Sequence, residues 1–528
     1  VAFAALAATG AAAQEVDLAI LGGTVVDGRG AEPFVADILV DEGRIVLVGE
    51  ADPGTLTAAH TIDARGLLVT PGFIDAHAHG NPLVDASFAN FLRQGFTTVV
   101  LGQDGVSPPD ERVTYTDNLD LEAWRTAMMG GPVAFAGPAT LGQWLDAVDE
   151  RGVEVNVAAL SGHGTNRLLV GAGSESPLTE AQQLAAEEIL RADLAAGAFG
   201  LSSGLEYIPG RYADKEELVR LARIVGQVDG VVMSHMRSED DDRIADAIEE
   251  LIAQGRHARV SVSHLKVVYG QTVEQAEAVL AQLASARANG VEIHADAYPY
   301  YAGYANMVLV YPDWAKRKDQ WDDAVANRRG ELERALIARV NKRNGPSAIL
   351  IASGEFAGKT LAEVAAELGL PFEQVLIDQF GYGGPLAAHR IMSEETQDVF
   401  IADADVALSS DGGPWISHPR SWGSAPELLA RFVRDKRLLP IESAVRKLSA
   451  LPADILGLAD RGRIAQGLVA DLNIIDLARL ENRASWTDHA QPPAGYRAVI
   501  VNGIMAFDGK QVLESRAGRT LRRQVSGR

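Results

Sequence analysis

From residue 15 to residue 64 the chain alternates short apolar runs with Gly and Asp-Gly turns, as in EVDLAILGGTVVDGRG and ADILVDEGRIVLVGE. Apolar residues at every second position bury one face of a pleated strand, and Asp-Gly suits a tight hairpin turn. This stretch predicts small antiparallel strands. The same texture returns late in the chain, in GRIAQGLVADLNIID and AVIVNGIMAFDGK. Distant termini often meet at the surface of a fold. The two stretches therefore predict one composite β-sandwich domain over residues 15–70 and 455–528.

Between them the period changes. GFIDAHAH, TTVVLG, VEVNVAALSG, GAFGLSSG, VVMSH, VSVSH, VEIHADAYP and, much later, ADVALSSDGG are nearly continuous apolar runs. Most precede helix-prone stretches such as LTEAQQLAAEEILRADLAAG and DDRIADAIEELIAQG. Strand-then-helix units with fully apolar strands predict a parallel sheet buried on both faces. A doubly wound sheet gives the same one-dimensional pattern. The (β/α)8 TIM-like barrel is favoured over residues 71–454, because ionisable residues end many different strands, where barrel active sites are assembled. Residues 300–346 break the rhythm with a charged, helix-prone run, YPDWAKRKDQWDDAVANRRGELERALIARVNKRNG. We read them as a small insertion or lid after strand seven.

Composition narrows the chemistry. The 528 residues are 47% hydrophobic and 23% charged, as in a soluble globular protein. The formal charge of -23 argues against a nucleic-acid partner. Cys is absent, which excludes disulfides, thiolate metal sites and a cysteine nucleophile. Residues 1–14, VAFAALAATGAAAQ, resemble the end of a secretory signal peptide. The expectation is a periplasmic or secreted enzyme with no membrane insertion of the mature chain; oligomerisation stays open. No G-x-S-x-G elbow or phosphate-binding loop is present, since the spacing in GEFAGKT is too short.

The histidines carry the remaining chemistry. His77 and His79 lie two apart in FIDAHAH, so a strand points both to one side. His235 closes VVMSH, His264 closes VSVSH and Asp411 closes VALSSD. Imidazole and carboxylate groups at four strand ends predict a divalent metal site. Such an ion acidifies water and polarises a carbonyl, and Asp411 can take the water's proton and pass it to a leaving nitrogen. If Asp411 is a ligand only, the proton work falls to His163 or to a water. His163, in LSGHGTNR, is a candidate substrate or oxyanion contact.

These residues resemble a known family. PGFIDAHAH, GFTTVVLG, GHGTNR, GLSSGLEYIPG, MSHMRSE, SHLK, DAYPY, SSDG and HPRSWG are similar to the motifs of N-acyl-D-amino-acid deacylases, or D-aminoacylases, of the amidohydrolase superfamily. The resemblance implies a barrel flanked by a β-sandwich and metal-dependent hydrolysis of N-acyl-D-amino acids. It implies zinc as the cofactor, with His77, His79, His235, His264 and Asp411 as its ligands and Asp411 as acid/base. The implied partner is a small-molecule substrate bearing a carboxylate, contacted by Tyr207, Lys266, Arg420 and a tyrosine of AYPY, Tyr298 or Tyr300. The family's metal-bridging cysteine is replaced here, in GQDG, by Asp104. A carboxylate is a harder ligand than a thiolate. It leaves open one ion or two, and divalent metals other than zinc. A dipeptide, a cyclic amide or another N-acylated compound is the alternative substrate, and a binding protein without turnover is a third reading.

Overall fold

The computed structural model describes residues 14–85, 87–108, 140–171 and 176–523. Residues 1–13 of the expected export segment lie outside them. Among the described residues, no helix is long and apolar enough to cross a membrane.

Strands from both ends of the chain form one mixed sheet. Its order is Ile504–Phe507, Tyr496–Val501, Leu472–Ile475, Leu68–Pro71, Gln14–Val25, Phe34–Asp41 and Arg44–Gly49, with Leu56–Asp63 also paired to Gln14–Val25. The alternation seen in the sequence has a direct cause. Leu18, Ile20, Ile38, Val40, Leu472, Ile474 and Ile500 pack into one core, whereas the cross-strand pair Ala19 and Leu39, one step out of phase, packs in a separate cluster.

Eight parallel strands make the barrel: Phe73–Asp75, Phe96–Leu101, Asn156–Ala159, Gly200–Gly204, Val231–His235, Arg259–Val262, Ile293–Ala297 and Val406–Leu408. The third continues into Ser161–Gly162, which pairs with Gly200–Gly204 and so links two groups of strands. First and last strands meet through a parallel bridge between Ala78 and Gly412. There Asp411 N donates to His77 O (2.9 Å) and His79 N to Gly412 O (2.8 Å). The ring is thereby closed where the candidate ligands lie.

The helices start and stop where local chemistry demands. Glu180–Ala196 opens on a capping box between Thr179 and Gln182 and ends at Gly197, whose φ of 112° lies in the left-handed region. Lys215–Gln227 opens on Asp214, whose carboxylate accepts from Glu217 N. Inward faces of these helices meet the strands in one large core with Trp144, Phe96, Val157, Leu221 and Ile248 fully or almost fully buried. Each such side chain contributes about 1.5–3 kcal/mol.

An insertion follows the seventh strand. It has its own core, from Met307 to Ala387, built by the helices Lys318–Asn327, Arg329–Lys342 and Leu361–Leu368. A three-stranded antiparallel sheet of Gly303–Ala305, Ala387–His389 and Ile349–Ile351 ties it together.

Candidate metal centre and active site

Six buried side chains converge at the strand ends. His77 and His79 follow the first strand and Asp104 the second. His235 ends the fifth strand, His264 follows the sixth and Asp411 the eighth. Asp104, His264 and Asp411 have φ of 55°, 39° and 48°, in the left-handed region that non-glycine residues avoid. Such strain is tolerated where the surroundings fix it, and here they do. Asp75 Oδ1 accepts from Ser410 N (2.9 Å), while Asp296 Oδ1 accepts from His264 N (3.1 Å) and Ser409 Oγ (2.5 Å).

The donor atoms form three groups, each within a 4.8 Å span: His77, His79, Asp104 and Asp411; Asp104, His235 and His264; and Glu206, His235 and Glu239. Asp104 belongs to the first two. Its Oδ1 lies 3.4 Å from Nε2 of His77 and 3.4 Å from Nε2 of His264. His79 Nε2 lies 3.1 Å from Asp411 Oδ1, and His235 Nδ1 lies 2.9 Å from His264 Nε2. Two ligand atoms on one tetrahedral zinc, each about 2.0–2.1 Å from it, stand roughly 3.3 Å apart. Both ring nitrogens of His77 and Asp104 Oδ1 are buried with no hydrogen-bond partner. Buried polar atoms are normally paired, so these residues fit a divalent ion.

Electrostatics agree. Burial opposes protonation of His264, as does Lys266, yet Asp104 and Glu239 raise it to about 10. Burial pushes the Asp411 carboxyl up, but the Arg420 guanidinium and His79 outweigh it and hold the group well below the usual carboxylate range. The cluster carries excess negative charge and calls for cations. Arg420 Nη1 lies 2.8 Å from Asp411 Oδ2, which leaves Oδ1 to face His79.

A cleft lies over this cluster. Tyr207, Lys266, Tyr298 and Arg420 all line it. Tyr207 Oη sits 3.2 Å from His235 Nδ1. Lys266 Nζ donates to Glu239 (2.6 Å) and to the His264 carbonyl (2.9 Å), and it lies 5.7 Å from the Tyr298 ring centre. Tyr298 Oη is buried without a partner, and burial pushes its pKa up to about 12, so it stays a neutral donor.

Two expected contacts lie elsewhere. The strand ends at Ala297, so the two-residue alternation does not carry on to Tyr300. Its hydroxyl accepts from Asn482 Nδ2 (2.9 Å) and its ring packs on His418 and Trp486. His163 begins the helix His163–Leu169, with Nε2 2.7 Å from Glu217 Oε1, which also holds Arg167.

Other site residues escaped sequence reasoning. Glu239 sits 3.0 Å from His264 Nδ1, and only its place in the quoted MSHMRSE motif pointed to it. His418, in the loop before the Arg420 helix, is fully buried; its Nε2 donates to Ala302 O (3.2 Å) and its Nδ1 accepts from Arg420 N (3.0 Å), which fixes the start of that helix.

Comparison with known proteins completes the description. The family model described as "Amidohydrolase family" matches residues 60–507. An N-acyl-D-glutamate deacylase of Alcaligenes xylosoxydans xylosoxydans is 33% identical over 520 residues, 97% of this chain and 98% of the relative. A D-aminoacylase of the same organism is 31% identical over 97% of this chain and 99% of its own length. The crystal structure of an N-acyl-D-glutamate deacylase from Bordetella bronchiseptica, complexed with zinc and a phosphonate inhibitor, superposes with a TM-score of 0.82. It is 31% identical and covers 96% of this chain and 100% of that one.

Proposed function

As a member of the amidohydrolase family and of its N-acyl-D-amino-acid deacylase (D-aminoacylase) group, the chain is a metal-dependent amide hydrolase, and we propose how its residues release a D-amino acid from an N-acyl-D-amino acid. The observation that carries this reading is the sharing of Asp104 between two groups of buried donors, beside an Asp411 that divides its oxygens between His79 and Arg420.

His77, His79, Asp104 and Asp411 would hold one ion, and Asp104, His235 and His264 a second, with zinc as the ion, as in the Bordetella relative. When bound, divalent metal supplies an acidified water and polarises the amide carbonyl. Asp411 accepts the proton of the attacking water and gives it to the leaving nitrogen. Arg420, 2.8 Å from Asp411 Oδ2, orients the carboxylate and leaves Oδ1 on the side of the histidines. Tyr207, a neutral phenol, donates a hydrogen bond to the carbonyl oxygen as charge develops there. Lys266, Tyr298 and the unpartnered Nε of Arg420 hold the substrate carboxylate. We assign His163 and Tyr300 no substrate contact. His163 instead orders its helix through Glu217.

The test is a panel of matched N-acetyl and N-aroyl amino acids, D and L, offered to zinc-loaded protein with free amine as the readout. Cleavage confined to D forms is the expected result. Cleavage of L forms alone, or of none with metal bound, sends the reading to another amide. The apolar run over residues 1–14 supports export. Fractionation of expressing cells, with the mature N-terminus sequenced, tests that assignment.

A further inference from the structure

The sheet strands Leu472–Ile475 and Tyr496–Val501 are antiparallel neighbours. Such a pair needs only a few residues to join it, yet this connection runs from residue 476 to 495. Its residues 482–486 lie against the loops that follow the seventh and eighth barrel strands.

Asn482 Nδ2 donates to Tyr300 Oη (2.9 Å) and to Oε2 of Glu427 (2.8 Å), the last residue of the helix Arg420–Glu427. Its Oδ1 accepts from Ala484 N (3.0 Å), which shapes the turn. Tyr300 Oη in turn reaches Pro419 O (3.5 Å), one residue before Arg420. A Cβ on Gly423 would overlap both Asn482 Oδ1 and Tyr300 Oη, so the close approach to the helix needs glycine there. Trp486 packs edge-on against His418, with ring centres 4.8 Å apart and planes at 78°. Arg390, just after the insertion strand Ala387–His389, lies 5.3 Å from the Trp486 ring centre.

These contacts bear on the cleft through the start of one helix. His418 Nδ1 accepts from Arg420 N while its Nε2 donates to Ala302 O, so both ring nitrogens are committed. Asn90 and Gln94, from the barrel, donate to Ser421 O (3.0 and 2.8 Å). Arg420 itself is buried and meets Asp411 through Nη1. Neither Asn482 nor Trp486 is among the residues that line the cleft.

We infer that Trp486 and Asn482 are positioning residues for Arg420: through this long connection the composite β domain clamps the start of the Arg420 helix, and so fixes the guanidinium that orients Asp411 and meets the substrate carboxylate. The inference rests on the part given to Arg420 in the deacylase reading above. A guanidinium that serves two carboxylates at hydrogen-bond distance tolerates little displacement, and a misplacement of about 1 Å costs up to about 100-fold in rate.

The experiment measures kcat and KM of the zinc-loaded full chain, with bound zinc counted, on an N-acetyl-D-amino acid that the wild type cleaves. Trp486→Ala should lower kcat/KM by about 10- to 100-fold, with KM raised as well as kcat lowered and the zinc content unchanged. A merely structural role would thin the active population, lowering the apparent kcat at constant KM. Trp486→Phe, which keeps an aromatic ring on His418, should recover most of the loss. Asn482→Ala should show a smaller loss of the same kind. His418→Asn keeps an oxygen that accepts from the backbone N–H two residues on and should stay close to wild type. His418→Gln, whose amide extends past that position, should resemble Trp486→Ala. Unchanged kinetics in Trp486→Ala, a loss confined to kcat, or a His418→Gln variant as active as His418→Asn would each overturn the inference. If Trp486→Ala does not fold, Asn482→Ala and the His418 pair decide by the same criteria. A wild type that cleaves no N-acetyl-D-amino acid removes the deacylase reading and this inference with it. Cleavage by the wild type with unaltered variants removes the inference alone.

Discussion

The barrel side and the insertion side of the cleft are built on opposite plans. On the barrel side charged side chains are committed to one another: Asp411 to Arg420, Lys266 to Glu239, Asp104 to two histidines. Several sit on strained backbone that neighbouring strands hold in place. On the insertion side Tyr304, Ala305 and Leu309 present largely apolar, half-buried surface, with Arg343 in electrostatic reach of Glu206 and Asp240. A rigid, cross-braced wall suits reacting groups that must be held to within a fraction of an ångström. A wall carried on a separate small core can vary without disturbing them. The difference assigns bond cleavage to the barrel and selectivity to the insertion.

Substitutions can break that division. The largest effect is expected from Asp411→Asn, which keeps the shape but cannot accept a proton. Its kcat should fall roughly 10²- to 10⁴-fold on every substrate alike, as steady-state kinetics would show. A variant with kcat intact would move the proton to another group. Lys266→Met should come next. It removes a donor for the substrate carboxylate and leaves Glu239 without its cation. A loss of about 10- to 100-fold in kcat/KM is expected, and amides lacking the carboxylate should lose less. Equal losses on both would mean that Lys266 serves the metal cluster through His264 alone. The smallest effect belongs to the insertion. Leu309→Ala should shift KM by about 3- to 30-fold between large and small side chains, the worth of one or two methylene contacts, with kcat little changed. A fall in kcat of the Asp411→Asn size would erase the distinction between the two walls.

The sequence made the barrel side far more legible than the insertion side. His77 and His79 were readable because a two-residue spacing puts both on one face of a strand, and His235 and His264 because each closes a short apolar run. Asp104 follows a similar apolar run but drew notice only through the resemblance, since its left-handed backbone leaves no mark in the pattern. Asp75, Asp296 and Glu239 were hidden because they act through contacts between distant strands. The choice between Tyr298 and Tyr300 depended on where the strand stops, which DAYPYYAG does not reveal. In the insertion, Ile349–Ile351 and Ala387–His389 are three residues long, too short for periodicity to show. Arg343 lies in the charged run VNKRNG, where an arginine looks like any solvated residue. Its burial became visible only in three dimensions.

The central claim is that the buried donors around Asp104 hold the metal on which amide hydrolysis depends. Chelated protein, confirmed metal-free by elemental analysis, should be titrated with zinc while turnover of an N-acetyl-D-amino acid is followed. Activity should be lost on chelation and return in step with the zinc retained by the protein. Undiminished turnover by the metal-free protein would contradict the account.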